Sequence, residues 1–305
     1  MEDFKILTLD GGGSKGIYSL GVLSELEKAV GGNLCEHFQL IYGTSTGSII
    51  ASLIGLGYSV EDIKKKYLEL IPSIMSCRTS KSKSEKLLEH ANSIFGDRDF
   101  NYFKTGIGIV AVNYDTQKPL IFKNEVDRAH GVKPSFEPGF GLTIAEAVMA
   151  SCAAAPIFKV RELHTKNKGV IQAMDGGFVA NNPTLFAMID ATKALNFDLK
   201  DIAVLSVGVG NYVEKPMSRK MQFLKRFEMA KIASRILVAS SNTTEVIANL
   251  LFPSLKIVRI NETFSEPEHG TNMIEKDIKK LEKMYQLGIR SYAKFEKETI
   301  ALLGV

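Results

Sequence analysis

Residues 38–48, FQLIYGTSTGS, join a short apolar run to a serine flanked by two glycines, and a helical pattern follows. An apolar run of this length predicts a strand, and the glycines of GTSTG predict a sharp turn into a helix. The same order occurs earlier, where FKILTL at 4–9 precedes DGGGSKG at 10–16 and a helix over about 16–30. This repetition of strand, turn and helix indicates an α/β fold whose strands are mostly parallel.

Three further apolar runs extend this pattern along the chain. They predict strands at 107–112, 202–207 and 256–260. We therefore expect a three-layer α/β/α fold with a mostly parallel central sheet between two helical layers. With 305 residues, 45% of them hydrophobic, the sequence suffices for one large domain over 1–305. We expect its motif-bearing core over 4–210 and a C-terminal part of helix and strand over 211–305.

Composition excludes some classes of partner. The net charge of +4, from 38 basic and 34 acidic residues, disfavours a nucleic-acid polymer as a partner. Cys35, Cys77 and Cys152 show neither a pairing pattern nor metal-ligand spacing, so we expect ordinary thiols in a reducing compartment. The first residues are acidic, and the longest apolar stretch, 40–57, is interrupted by Gly, Thr and Ser. We therefore expect neither a signal peptide nor a membrane span, and a cytoplasmic protein.

Two segments concentrate basic residues. Residues 76–86, SCRTSKSKSEK, predict an exposed loop that enters a helix. Residues 217–239 predict an amphipathic helix. The apolar side chains near one face of this helix are Met217, Met221, Leu224, Ile232 and Ile236. The helix either packs on the core with a charged outer face or contacts an anionic surface, and the sequence leaves both alternatives open.

The glycine-rich segment DGGGSKG, residues 10–16, follows a predicted strand and opens a helix. Its backbone N–H groups are expected to converge where an anion or an oxyanion could lie. Gly11, Gly13 and Gly16 match GxGxxG, but the acid of a dinucleotide-binding fold is missing after the second strand. A sugar-kinase-like ATPase, with Asp10 on a metal and 11–16 around a phosphate, is an alternative.

The segment GTSTG matches the pattern G-x-S-x-G. Gly43 and Gly47 remove side chains that would crowd a strand-to-helix turn, so the hydroxyl of Ser45 is expected to be accessible. A glycine and serine turn without chemistry is the alternative. An alcohol is a weak nucleophile at neutral pH and needs a hydrogen-bonded base.

Two side chains are candidates for that base. His269 lies late in the chain in the polar segment NETFSEPEHGTN, 261–272, which fits the order Ser, Asp, His. Asp175 lies in QAMDGGFVANNP, 172–183, where an apolar run meets two glycines. Asp-Gly is also a favoured turn pair, so Asp175 could serve only the turn.

Four segments in register resemble the patatin-like phospholipase family of lipid acyl hydrolases. They are DGGGSKG at 10–16, GTSTG at 43–47, SCAAAPIF at 151–158 and DGGFVANNP at 175–183. The resemblance implies a Ser–Asp dyad with Ser45 as nucleophile and Asp175 as base, without a histidine, metal or cofactor. It also implies an oxyanion hole formed by the backbone N–H groups of Gly11, Gly12 and Gly13. The supporting motif residues are Lys15, Gly16, Gly43, Gly47, Gly176 and Gly177. Lys15 either adds positive charge near the site or faces solvent.

The expected activity follows from this resemblance. A member of the family would cleave glycerophospholipid esters at a membrane surface and release free fatty acid. Some bacterial members are antiphage effectors that cyclic nucleotides activate, so a cyclic nucleotide is an expected partner, and the basic segments could face it or the membrane. A lipid-binding or signalling scaffold with little turnover is the main alternative. The ATPase is more remote, because its second phosphate loop would lie far downstream, whereas GTSTG follows the first turn after about thirty residues.

Overall fold

A computed structural model describes residues 3–131, 133–212 and 225–305 of the chain. The strands in these ranges are β1 (Phe4–Leu9), β2 (Leu40–Thr44), β3 (Gly106–Asn113), β4 (Pro119–Lys123), β5 (Arg161–Thr165), β6 (Gly169–Asp175), β7 (Ile202–Val207), β8 (Asn211–Tyr212), β9 (Lys256–Ile260) and β10 (Thr263–Phe264). The helices are α1 (Gly16–Val30), α2 (Leu34–His37), α3 (Thr46–Gly55), α4 (Val60–Met75), α5 (Ser80–Phe95), α6 (Ile144–Ser151), α7 (Gly177–Ala180), α8 (Thr184–Ile189), α9 (Lys225–Leu251) and α10 (Ile278–Leu303).

The central sheet has the strand order β5-β6-β3-β2-β1-β7-β9, and β4 also pairs with β3. The strands β3, β2, β1, β7 and β9 run parallel to one another, whereas β4 and β6 pair antiparallel with β3, and β5 antiparallel with β6. Every residue of β7 is buried, as expected for a parallel strand that is covered on both faces. The mostly parallel sheet predicted from the sequence is confirmed.

Helices cover both faces of this sheet. Alternate side chains of β1 illustrate this, because Leu7 and Leu9 belong to one apolar cluster and Ile6 belongs to another. The first cluster includes side chains from α1, α3, α4, α5, α6 and α10. The second includes side chains from α7 and α8, on which α9 packs. The three-layer arrangement is therefore confirmed. No helix within the described ranges is both long and apolar enough to cross a lipid bilayer.

The basic segment 76–86, predicted as an exposed loop that enters a helix, contains less loop than expected, because α5 already begins at Ser80. Helix α5 begins at Ser80, because Thr79 and Ser82 form a reciprocal capping box that satisfies the first N–H groups of the helix. Lys83 donates to the carbonyl oxygens of Ile74 and Met75 at the end of α4. The lysine side chain thus stabilises the junction of two helices.

Helix α9 differs from the prediction over 217–239 in its end and in its faces. It ends at Leu251, and the predicted apolar residues Met217, Met221 and Leu224 lie outside the described residues. Ile232 and Ile236, which lie on the apolar face that could either pack on the core or contact an anionic surface, are 54% and 52% exposed. The alternative of a core-packed helix with a charged outer face is therefore wrong for these two residues.

Candidate active site

Ser45 occupies a strained turn between β2 and α3. Its φ of 52° lies in the left-handed region that residues other than glycine rarely adopt. The Ser45 N–H donates to Ser151 Oγ at 2.8 Å, and Ser48 Oγ donates to the Ser45 carbonyl at 2.6 Å. Such a conformation costs about 1–3 kcal/mol and persists only where neighbouring contacts hold it, which is common at functional sites.

The two glycines beside Ser45 allow a close approach of backbones. A Cβ atom on Gly43 would lie 2.3 Å from the Gly47 carbonyl oxygen, and a Cβ on Gly47 would lie 2.3 Å from the Leu9 carbonyl oxygen. Both distances are far below van der Waals contact, so a side chain at either position would force β1, β2 and α3 apart. The glycines of GTSTG thus have the steric role that the sequence suggests.

The sheet register brings Ser45 and Asp175 together. Thr44 at the end of β2 pairs with Val110 of β3, and the next residue of β3, Ala111, pairs with Asp175 at the end of β6. Because β6 runs antiparallel to β3, its last residue reaches the level of Ser45. Ser45 Oγ donates a hydrogen bond of 2.7 Å to Asp175 Oδ2, across 130 positions of sequence.

Asp175 is buried, and within the described ranges no cation compensates its charge. Its Oδ1 accepts the Gly177 N–H at 2.7 Å, and the Gly176 N–H donates to the Ser151 carbonyl at 3.3 Å. Burial raises the pKa of Asp175 to about 6, although the hydrogen bonds from Ser45 and Gly177 act in the opposite direction. The carboxyl group is therefore ionised at neutral pH yet more basic than an exposed aspartate.

His269, the alternative candidate base, does not contact Ser45. His269 lies against Glu266 and Glu268, with its Nδ1 3.2 Å from a Glu266 carboxylate oxygen. The other histidines contact groups remote from the Ser45 hydroxyl, namely Gly31 O for His37, Ser73 for His90, Asp190 for His130 and Glu162 for His164. Asp175 alone of the two candidate bases lies within hydrogen-bonding distance of Ser45.

The glycine turn after β1 supplies fewer donors than the sequence suggests. The Gly11 N–H donates to the Asn181 carbonyl at 3.0 Å, so it cannot also serve an oxyanion. The N–H groups of Gly12 and Gly13 have no acceptor among the described residues. Gly13 has a φ of 57° and lies against the Met273 carbonyl, which accepts the Ser14 N–H at 2.9 Å. Of the three backbone N–H groups predicted as oxyanion donors, those of Gly12 and Gly13 therefore remain candidates.

Asp10 anchors this turn to the C-terminal part of the chain. Both of its carboxylate oxygens accept from the Arg259 guanidinium of β9, at 2.8 and 2.6 Å, and Ser241 Oγ of α9 donates to Oδ2 at 3.1 Å. Asn181 donates to the Gly11 carbonyl at 3.1 Å and to Ser241 Oγ at 2.8 Å. The guanidinium takes the place of the metal that a kinase-like Asp10 would bind, so this alternative is not supported.

Sequence reasoning missed these anchoring residues. Arg259 is an arginine inside an otherwise apolar strand, KIVRI, and this anomaly was the only signal of a buried partner. Ser241 and Asn181 carry no comparable signal, because serines and asparagines are ordinary on helices and in turns.

Lys15 is buried and does not face solvent. Its ammonium group donates to the Gly210 carbonyl at 3.0 Å, and burial lowers the pKa of Lys15 to about 8, while the charge of Asp10 opposes this shift. Lys15 lines a small cavity together with Gly11 and Gly12. Gly16, the next residue, packs against the hydroxyl oxygens of Tyr67 and Thr46. The solvent-facing alternative for Lys15 is therefore wrong.

An apolar cavity opens beside Ser45. It encloses about 480 Å³ of space, part of which is open to solvent. The apolar side chains that line it include Ile49, Leu70, Ile71, Ile74, Leu87 and Phe158. Cys152 also lines it, and burial raises the pKa of this thiol well above its usual range. The thiol is thus neutral and does not compete with Ser45 as a nucleophile. The cavity matches an extended hydrocarbon chain in chemistry.

Comparison with known proteins shows the family to which the chain belongs. A model of the family described as patatin-like phospholipase matches residues 7–188. A cUMP-AMP-activated phospholipase of Escherichia coli is 42% identical over 294 residues, which are 96% of this chain and 92% of that protein. A cGAMP-activated phospholipase of Pseudomonas aeruginosa is 31% identical over 196 residues, covering 61% of this chain and 56% of that protein. The crystal structure of VipD from Legionella pneumophila has a TM-score of 0.50 and 13% identity, covering 100% of this chain and 67% of that chain, and supports the fold alone. The chain belongs to the patatin-like phospholipase family.

Proposed function

We propose that this protein is a serine acyl hydrolase that cleaves glycerophospholipid esters with Ser45 and Asp175, under the control of a cyclic nucleotide. One observation carries the proposal. The Ser45 hydroxyl donates at 2.7 Å to a buried carboxylate that pairs with no cation of the described residues, and Ser45 borders the apolar cavity. A nucleophile, its base and a place for an acyl chain are thus adjacent.

In the first half of the reaction, Asp175 takes the proton of Ser45 as the serine oxygen attacks the ester carbonyl carbon. The negative charge that develops on the carbonyl oxygen would be stabilised by the N–H groups of Gly12 and Gly13, an effect of about 3–4 kcal/mol per donor. The C–O bond to the lysophospholipid then breaks, and Asp175 returns its proton to the leaving alcohol. The fatty acyl group stays on Ser45 as an ester.

The second half regenerates the enzyme. Asp175 accepts a proton from a water molecule, whose oxygen attacks the acyl ester, and the bond to Ser45 Oγ breaks. The proton returns to the Ser45 oxygen, and a free fatty acid leaves. Apolar residues such as Ile71 and Ile74 would hold the acyl chain by burying it from water, at about 0.8 kcal/mol per buried CH₂ group.

A fluorophosphonate probe and phospholipid vesicles test this proposal together. Unmodified protein should be labelled at Ser45 and should release fatty acid, whereas Ser45→Ala should do neither. Ser52→Ala is the control on the helix that follows Ser45, because Ser52 is fully buried, does not line the apolar cavity, and its hydroxyl has no partner in the described part of the chain. It should keep both activities. Fatty-acid release by Ser45→Ala, with the fold intact by circular dichroism, would refute the proposal.

The second part of the proposal is activation by a cyclic nucleotide. Its support is the relative that is 42% identical over 96% of this chain and is named a cUMP-AMP-activated phospholipase. Vesicle hydrolysis should be measured with cUMP-AMP, with cGAMP and without either. We expect the fastest release with cUMP-AMP. Equal rates under all conditions would remove the activation, and no release together with no probe labelling would favour a scaffold without turnover.

A further inference from the structure

Helix α9 presents apolar side chains on two opposite faces. Its inner face is buried and contributes Leu237, Ser241, Thr244 and Ala248. Its outer face carries an exposed row of side chains, which we call the outer seam. The outer seam consists of Ile232, Ile236, Ala239, Thr243, Val246 and Leu250. The four large members are 54%, 52%, 55% and 75% exposed, and such a contiguous apolar row on a surface marks an interaction site.

The spacing of the outer seam is that of a helix-pairing surface. Its members follow one another after four, three, four, three and four residues, which is the alternation of positions a and d in a heptad. The polar side chains of Arg235, Asn242 and Asn249 run alongside it. The stripe is thus narrow over 232–243 and widens at its end, where Leu251 is 66% exposed beside Leu250, whereas helices that lie on a bilayer present a broad apolar face along their whole length.

The one polar member of the outer seam does not oppose burial. Thr243 Oγ1 donates to the Ala239 carbonyl at 2.8 Å within the helix, so its hydroxyl is already satisfied. The methyl group of Thr243 completes the apolar row. Burial of this row would therefore leave no polar side-chain atom of the seam without a partner.

We propose that the outer seam docks on the same seam of a second copy of this chain, with the two α9 helices antiparallel. The seam is self-complementary about its centre. In this register Ile232 meets Leu250 of the second copy, Ile236 meets Val246, and the small Ala239 meets Thr243. Each contact then occurs twice, as a two-fold axis requires, and the small central residues let the helix axes approach closely.

Electrostatics agree with this arrangement. Antiparallel helices place opposite ends of their macrodipoles together. Across the two-fold axis Asn242 would face its own copy, and Arg235 would face Asn249, so no like charges oppose each other. The seam spans about 27 Å at ~1.5 Å per residue, and six seam residues are fewer than the about 20–30 residues a side of a standard interface. We therefore expect reversible, concentration-dependent dimers.

Sedimentation velocity of the full chain, from about 1 to 200 μM, tests the association. The sedimentation coefficient should rise from that of a monomer to that of a dimer. Val246→Glu should weaken the dimer at least tenfold in Kd. Val170→Glu is the matched control, because Val170 is 58% exposed but lies on β6, and it should leave the association unchanged. A monomer at every concentration, or equal loss in both variants, would overturn the proposal.

Disulfide trapping tests the register in a Cys77→Ser background. An Ile232→Cys chain mixed with a Leu250→Cys chain should form a crossed disulfide, whereas Ile232→Cys alone should not crosslink. Efficient crosslinking of Ile232→Cys with itself would overturn the antiparallel arrangement. Flotation with anionic vesicles tests whether a lipid bilayer, instead of a second copy of the chain, contacts the outer seam. If Val246→Glu abolished vesicle binding while the unmodified chain stayed monomeric, the seam would be a bilayer contact instead.

Discussion

Two aspartates, Asp175 and Asp190, are almost equally buried, at 2% and 1% exposure, but they have opposite surroundings. Asp175 accepts one hydroxyl and one backbone N–H. Asp190 accepts from the ammonium group of Lys123 at 2.5 Å, and the Arg128 guanidinium lies 3.5 Å from it. The charge of Asp190 is thus paired with two cations, whereas Asp175 is a buried carboxylate without a cation in the described ranges, and burial makes it more basic.

The Asp190 cluster ties several elements together and contains no cavity-lining group of the candidate site. Tyr42 of β2 donates to Asp190 Oδ2 at 2.5 Å, and His130 Nε2 lies 2.8 Å from Oδ1. Burial and the charge of Asp190 raise the pKa of Tyr42, so its hydroxyl stays protonated and donates. The comparison teaches that the partner of a buried carboxylate, rather than its burial, separates a structural cluster from a catalytic one.

Replacement of the two aspartates should separate activity from stability. Asp175→Asn removes the proposed base and should lower fatty-acid release about 10³–10⁴-fold, the range seen when a catalytic carboxylate is lost. Asp190→Asn should retain activity within about tenfold at a temperature where it is folded. Initial rates on phospholipid vesicles measure both. Similar losses in the two variants would show that the comparison is wrong.

The free energy of unfolding, in contrast to activity, should decrease in Asp190→Asn. Asp190→Asn leaves Lys123 buried without its counter-charge, whereas Arg128 keeps Glu125 at 2.8 Å, and loss of one partner of a buried pair costs about 3–5 kcal/mol. Urea unfolding monitored by circular dichroism should show this decrease in the free energy of unfolding. A change below about 1 kcal/mol would mean that the cluster is more hydrated than its burial indicates.

Asp175→Asn should stabilise the fold at neutral pH. Because burial raises the pKa of Asp175 to about 6 from 3.8, the folded state binds the proton more tightly than the unfolded state. The stability of the unmodified protein therefore falls as the pH rises through this window, and the cost of the buried charge is complete above pH 6. The variant should gain up to about 3 kcal/mol at pH 8 and nothing at pH 4. Thermal melts across this range would check the difference, and a constant gain would contradict it.

The same pKa predicts the pH dependence of catalysis. Asp175 must be ionised to accept the Ser45 proton, so kcat/KM should fall about tenfold per pH unit below about 6 and level off above it. Asp190→Asn should show the same profile, because that carboxylate does not take part in the reaction. A midpoint near pH 4 in the unmodified protein would indicate that the site is more hydrated than its burial suggests.

Replacing the partner of a third buried aspartate, Asp10, should have a smaller effect on activity. Asp10 holds the glycine turn through its ion pair with Arg259. Arg259→Lys keeps the charge but loses the two-pronged contact with Asp10, at 2.8 and 2.6 Å. We expect kcat to fall about fivefold to tenfold with KM nearly unchanged, since the turn would position the Gly12 and Gly13 donors less well. An unchanged kcat would show that the turn does not depend on this ion pair.

The sequence predicted the central strands well because burial on both faces gives them uninterrupted apolar runs. β1, β7 and β9 have the predicted limits. It did not predict β4, β5 and β6, since half-exposed antiparallel strands such as RELHT, residues 161–165, contain polar residues that hide the pattern. Yet β6 sets the height at which Asp175 meets Ser45.

Within the candidate site, local motifs were informative and distant contacts were not. Ser45 and Asp175 lie in glycine-flanked segments that impose their own turns, so the pair could be suggested from the sequence. The glycine turn could not be assessed in the same way, because Gly11 is engaged by Asn181, 170 positions away. For the same reason the sequence could not decide whether Ile232 and Ile236 face the core, and the core contacts are made by Leu237 and Ser241 instead.

The family model ends at residue 188, yet Ser241, Arg259 and Met273 from beyond it hold the glycine turn. Exchange of genetic segments between relatives would therefore have an uneven outcome. A chimera joined after the matched segment would inherit a nucleophile and base from one parent and the supports of the oxyanion turn from the other. Functional recombinants should be those in which the residues at 10, 241 and 259 come from a single parent.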